Sequence, residues 1–165
     1  MSIPTAFETY TRLLHSAGIL LFRRAPEGIE VLLVHLGGPF WAKKDKGAWS
    51  IPKGEVGEGE EPQACALREL GEELGTPPPI VAEQLIDLGT VRQKAGKLVH
   101  GWAAEADFDP AMLHSNSFTM EWPPRSGQQR EFPEVDRAEW FDLDAARGKI
   151  NPAQVELLDR LQASR

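Results

Sequence analysis

The chain has 165 residues, of which 41% are hydrophobic and 26% charged, the balance of a soluble globular protein with enough length for one domain and a proper core. Its formal net charge of −7 argues against non-specific binding to nucleic acid, so a phosphate ligand must be met by a metal and by local Lys or Arg. The longest apolar runs, 17–22 and 31–34, are far too short to span a bilayer, and no basic stretch followed by an apolar one marks a leader. The single cysteine, Cys65, excludes an internal disulfide and suits a reducing compartment, so a cytoplasmic location is expected.

Segments 15–24 and 29–36 read as strands joined by the Ala-Pro-Glu-Gly turn at 25–28. Gly37-Gly38-Pro39 breaks the second strand, 40–47 reads as a loop, and 48–51 as a short strand. A helix is then signalled from Pro62, which suits the first helical position, to Gly75, which suits a left-handed stop before Pro77-Pro78-Pro79. Ala64, Leu67, Leu70 and Leu74 form the stripe expected to face a core. Segments 83–91 and 98–108 read as strands, and 118–122 as a possible strand before the turn-forming run Pro-Pro-Arg-Ser-Gly-Gln-Gln. Segment 137–141 reads as a strand. A last helix is expected over about 152–162, with Asn151 as cap, Pro152 in the first turn, and Val155, Leu158 and Leu161 on one face. With no internal repeat and no linker, the expectation is a single α/β domain over 1–165 with a mixed sheet.

The chemistry is concentrated between 54 and 76. Seven glutamates and one arginine fall between Glu55 and Glu73, carrying six of the seven net negative charges. Glu69, Glu72 and Glu73 stand at i, i+3 and i+4, so a helix brings their carboxylates onto one face, where like charges repel. A divalent cation offsets that repulsion, and hard oxygen ligands select Mg²⁺, Mn²⁺ or Ca²⁺ over zinc. A solvated, salt-bridged helix face is the plainer alternative; it requires the loop glycines, the helix start and the carboxylate spacing to agree by chance.

These residues resemble the Nudix box: Gly54, five residues, Glu60, seven residues, then Arg68-Glu69-Leu70, Glu72-Glu73 and Gly75. The one departure is Thr76, where an apolar residue is usual; it lies beyond the helix stop. The lead-in Ile51-Pro52-Lys53-Gly54-Glu55 is similar to that of many Nudix enzymes. The resemblance implies a Nudix α/β/α sandwich and a Mg²⁺-dependent pyrophosphohydrolase, with Mn²⁺ as a possible substitute, acting on a diphosphate in a nucleotide-type substrate. It implies that Glu69 and Glu73 are the principal metal ligands, that Glu72 and the Gly54 carbonyl are additional ones, and that Arg68 is structural, pairing with Glu60.

Nudix enzymes often recruit a further carboxylate from outside the box. The candidates are Glu121, Glu131 and Glu134; Glu134 ranks first because it lies six residues before Trp140. For each singly, a plain surface glutamate is about an even alternative. Lys53, directly before the box, is a candidate for phosphate binding; for Lys43, Lys44 and Lys46 a solvated loop is the commoner reading. Arg125 or Arg130 suits a distal phosphate. Trp41, Trp49 and Trp122 are candidates to stack on a base, although tryptophan is more often core. The four histidines show no metal-ligand spacing. Nucleoside triphosphates and dinucleoside polyphosphates are the leading substrate classes. The tyrosine that many dinucleoside polyphosphate hydrolases place some sixteen to eighteen residues past the box glycine is replaced here by Val91-Arg92-Gln93. The alternative function is a nucleotide-binding regulatory module that keeps the fold; the intact box glutamates and Arg68 favour the enzyme.

Overall fold

The computed structural model describes residues 14–165. Residues 1–13, where the expected domain begins and to which the expectation of no leader applies, lie outside it.

Strand β1 (Leu14–Ala25) is apolar on both faces: Ala17, Ile19 and Leu21 enter one core, Leu20 and Phe22 the other. Strand β2 (Gly28–Leu36) does the same with Leu32 and Val34 against Val31 and Leu33. Continuous apolar runs of this kind mark strands covered on both sides. The two form the expected hairpin, in register from Phe22↔Val31 to Ala25↔Gly28, and then diverge. Into the gap come β3 (Trp49–Ser50), paired with Val34 and His35, and β4 (Lys53–Glu55), paired with Ser16 to Gly18. Strand β5 (Ile86–Arg92) is antiparallel to β6 (Leu98–Glu105), and β6 runs parallel to β1. Strand β9 (Val135–Asp142) pairs antiparallel with β2, completing a mixed seven-stranded sheet. A hairpin of β7 (Ser117–Glu121) and β8 (Gln129–Pro133) forms a separate two-stranded sheet where one possible strand was expected.

Helix α1 (Pro62–Leu74) covers one face of the main sheet through Cys65, Ala66, Leu70 and Leu74. Helices α2 (Leu143–Lys149) and α3 (Val155–Ser164) cover the other through Ala146, Leu157, Leu158 and Leu161. The result is the expected α/β/α sandwich. Helix α2 was not anticipated; the Asp142 side chain caps it by accepting the Ala145 N–H at 2.7 Å. The last helix opens with a 3₁₀ turn, Pro152–Gln154, in which Asn151 accepts the Ala153 N–H as expected.

The expected stripe on α1 needs correction. Ala64 is exposed and Leu67 only half-buried, whereas Glu69 and Glu73 are buried. The helix is turned so that these two carboxylates meet the backbone of β4. Gly75 ends it at φ 87°, and a Cβ there would press on the His114 carbonyl. No helix among the described residues is long and apolar enough to cross a membrane.

Candidate active site

Strand β4 lays Lys53, Gly54 and Glu55 alongside the middle of α1. The Lys53 N–H donates to Glu73 Oε2 at 2.7 Å. A Cβ on Gly54 would overlap the Glu69 carboxylate, so this glycine is required by close approach rather than by its dihedral angles. The Cys65 thiol, in the next turn toward the N-terminus, lies 3.6 Å from the Gly54 carbonyl and 3.4 Å from that of Glu55. Cys65 is a buried, packed thiol that faces this strand; burial and the neighbouring Glu60 push it up to about 12.

Glu69 is 8% and Glu73 5% exposed, low values for carboxylates. Burial pushes Glu73 up to about 8 against the opposing pull of the Lys53 N–H, and Glu69 and Glu134 add repulsion. Glu69 is also raised, by burial and then by Glu72. These are the signs of a carboxylate cluster short of positive charge. The Lys53 ammonium is lowered by burial and by nearby Lys97, although Glu73 and Glu69 oppose the shift. Lys97, on the turn between β5 and β6, had no signal in the sequence that tied it to the box.

Arg68 does more than pair with Glu60. Its Nε and Nη2 grip the two Glu60 oxygens at 2.8 and 3.0 Å, the planar fork matching the carboxylate. Its Nη1 reaches Glu69 Oε1 at 2.9 Å and both Glu72 oxygens at 3.1 Å. Nη2 also reaches the Glu55 carbonyl at 3.3 Å and the Cys65 sulfur at 3.7 Å. Glu60 also accepts the Gly57 N–H at 2.9 Å, so the loop between β4 and α1 is tied at both ends. The guanidinium and then that N–H hold the Glu60 carboxyl down at about 2.

Of the three glutamates outside the box, Glu134 stands in the field of Glu69, Glu72 and Glu73, and its own carboxyl is raised by burial and by Glu72. Its backbone bonds to both neighbours: the N–H donates to Asn116 at 2.8 Å, and the carbonyl accepts from Gly37 at 2.9 Å. Asn116 in turn donates to the Glu72 carbonyl at 2.9 Å, joining this junction to α1. Glu121 is exposed and accepts the Arg125 N–H at 2.7 Å; Glu131 and Arg130 are exposed on β8.

Trp49 was a candidate to stack on a base, and the structure corrects this. It is 1% exposed, its indole N–H donates to Asp45 at 2.9 Å, and its ring packs edge-on against His35 and Phe141. The short β3 turns it into the core beneath α2 and α3.

Among the described residues no three His, Cys, Asp or Glu side chains already stand as a metal shell, and Arg68 bonds Glu69 and Glu72. The donor set nevertheless fits a hard divalent cation. It is all oxygen, under-neutralised, and gathered around a glycine whose missing side chain leaves room for a carboxylate.

Comparison with known proteins identifies the family and the fold. Residues 13–161 match the NUDIX domain, and the chain belongs to the NUDIX family. A 28-residue stretch, 17% of this chain and 16% of the relative, is 61% identical to an RNA pyrophosphohydrolase of Gluconobacter oxydans (strain 621H). The chain therefore matches only a small part of that protein's length. A C. elegans Ap4A hydrolase in a binary complex superposes with TM-score 0.62 at 24% identity, covering 90% of this chain and 96% of that one. The NUDIX domain of Shewanella oneidensis NrtR, complexed with ADP ribose, gives 0.60 at 19% identity over 92% and 87%. At these identities the likeness concerns the fold.

Proposed function

We propose that this chain is a Mg²⁺-dependent pyrophosphohydrolase that cleaves a diphosphate linkage in a nucleotide-type substrate, a nucleoside triphosphate or dinucleoside polyphosphate, in the cytoplasm. The observation that carries the reading is the pair of buried carboxylates, Glu69 and Glu73, held one helical turn apart against Gly54 and Lys53. A solvated helix face has no reason to bury two like charges. A binding module has no need of them.

The residues that would hold the metal are Glu69, Glu73, Glu72 and the Gly54 carbonyl; Mn²⁺ suits the same oxygens. When bound, the ion supplies charge stabilisation at the phosphoryl oxygens and an acidified water. The chain's own contribution is position and proton transfer. Arg68 fixes the loop 55–60 by its fork on Glu60 and orients Glu69 and Glu72 through Nη1. Glu134, in the field of the same carboxylates, is the leading group to accept the proton of the attacking water. Lys53, next to the cluster, and Arg130, farther out on β8, offer positive charge to substrate phosphates. Glu121 on β7 lines the same approach.

The test is incubation with nucleoside triphosphates, dinucleoside polyphosphates, nucleotide sugars and ADP-ribose, with and without Mg²⁺, and chromatographic resolution of the products. Metal-dependent release of a phosphate-containing product from at least one of them is expected. Metal-dependent binding without any product would sink the enzymatic reading in favour of a nucleotide-binding module.

A further inference from the structure

We infer that Phe40 and Trp122 form a stacking site for the base of the nucleotide substrate, outside the carboxylate cluster; this rests on the reading of the chain as a nucleotide pyrophosphohydrolase.

The β7–β8 hairpin pairs with no strand of the main sheet. Along β7, Phe118 and Met120 are half-buried while Ser117, Thr119 and Glu121 are exposed, and Trp122 continues the apolar side by the two-residue period. Phe132, opposite Phe118 on β8, adds its ring at 6.0 Å. The loop that follows β2 lies against this side. Gly38 is bare where the Phe118 ring stands, since a Cβ there would come within 2.9 Å of it. Two residues on, the Phe40 ring meets Trp122 edge-to-face, with centroids 5.6 Å apart and planes at 78°.

Both elements that carry these rings are rooted at Glu134. Gly37, three residues before Phe40, donates to its carbonyl, and Asn116, just before β7, accepts its N–H. The ring pair therefore belongs to the two elements that meet beside Glu134, outside the carboxylate cluster, a placement that suits a nucleoside separated from the cleaved bond by phosphates.

Phe40 is 60% exposed, and it is the one aromatic residue among the large hydrophobics that are exposed in the described part of the chain. A single exposed apolar ring is ordinary on a protein surface; Phe40 is marked out by its edge-to-face contact with Trp122. The loop that carries Phe40 also carries exposed Lys43 and Lys46, which among the described residues form no ion pair with an acidic side chain, while its one acid, Asp45, is paired with Lys149; on the hairpin Glu121 and Glu131 balance Arg125 and Arg130. In a chain of net charge −7, an excess of cations on the loop that bears the exposed ring suits a ligand that is aromatic and anionic. A nucleotide is both. An apolar partner protein would not need the cations, and an inorganic polyphosphate would not need the rings.

The experiment compares the wild type with Phe40→Ala, Phe40→Tyr, Trp122→Ala and Trp122→Phe. Tryptophan fluorescence is titrated with a methylene-bridged, uncleavable ATP analogue and, as base-free probe, inorganic tripolyphosphate; KM and kcat are measured on whichever nucleotide the wild type cleaves. Phe40→Ala and Trp122→Ala should weaken the analogue, and raise KM, by between about five- and a hundredfold, as loss of a stacking partner does. Phe40→Tyr and Trp122→Phe, which keep a ring, should recover most of the loss, and tripolyphosphate affinity should move by less than about twofold. If Phe40→Ala leaves the analogue's affinity unchanged, or weakens both probes alike, the rings only brace the hairpin or meet another partner, and the inference falls. A wild type that binds the analogue through these rings but cleaves no nucleotide overturns the proposed activity alone. Cleavage indifferent to Phe40 overturns this inference alone.

Discussion

The Lys53 N–H and Glu73 Oε2 lie 2.7 Å apart, joining β4 to the last turn of α1 across 20 positions of sequence. The bond orients a carboxylate that is otherwise sealed in, and it fixes the distance between the strand's carbonyls and the helix's acids. It also means that Glu73 can lose its charge without losing its place, because a glutamine oxygen accepts the same N–H.

Glu73→Gln should therefore lower kcat by two or more orders of magnitude at saturating Mg²⁺, the scale expected for loss of a charged group that acts in the transition state. The metal-free melting temperature should stay level or rise, since glutamine removes a carboxyl whose ionisation burial already penalises. Turnover near that of the wild type would remove Glu73 from the metal site.

Gly54→Ala tests the cradle. The added Cβ overlaps the Glu69 carboxylate, so either β4 or α1 must shift. Overpacking of this kind costs about 1–3 kcal/mol. Thermal denaturation should show the loss, and activity should fall with it. A variant of unchanged stability and unchanged kcat would mean that the helix approaches the strand less closely than the structure places it.

The Glu60–Arg68 pair predicts a pH dependence of stability. The carboxyl is held at about 2, below its ordinary 4.5, by the guanidinium and the Gly57 N–H. A depressed acid contributes stability that is complete above the unfolded value and is lost as pH falls toward the folded one. The difference in melting temperature between wild type and Glu60→Gln should therefore be constant at neutral pH and shrink between about pH 4.5 and pH 2. The Arg68 side chain is 40% exposed, so solvent and salt screen the pair and its contribution is about 1 kcal/mol or less. Arg68→Lys keeps the charge but not the fork, and should lose both stability and kcat. A pH-independent difference in melting temperature would show that Glu60 is not held by Arg68 in solution.

Which parts were readable in the sequence follows from how the signals arise. The runs 17–22 and 31–34 announced strands because both faces of β1 and β2 are covered, and the box helix announced itself through Pro62 and Gly75. Its orientation was not readable, because Glu69 and Glu73 occupy positions that hydrophobic periodicity counts as polar, whereas β4 brings backbone to them. Helix α2 has seven residues, includes Gly148, and buries only Ala146, too little for periodicity; Asp142 was its one signal. Strands β3 and β4 have two and three residues, too short to show alternation, so the sequence left Trp49 between a stacking role and the core, where the structure puts it. The closeness of Glu134 to the box depends on β9 pairing with β2, a long-range fact that no local pattern carries.

That pairing motivates the last prediction. Strand β9 begins immediately after Glu134, and the bonds to Gly37 and Asn116 hold this residue between β2 and the segment that passes the end of α1. Its carboxyl is raised by burial and by Glu72, whereas Glu121 and Glu131 are exposed on the hairpin. A group poised among other carboxylates suits proton acceptance or a metal contact made in the transition state. Glu134→Gln should lower kcat by at least about a hundredfold while KM changes little, the pattern of an interaction made only in the transition state. Glu121→Gln and Glu131→Gln should stay within about threefold of the wild type, as exposed residues away from the cluster do. Steady-state kinetics of the three variants on one cleaved substrate decide it: a fully active Glu134→Gln places the base within the box or makes a separate base unnecessary, and a loss confined to Glu121→Gln or Glu131→Gln moves the role onto the hairpin.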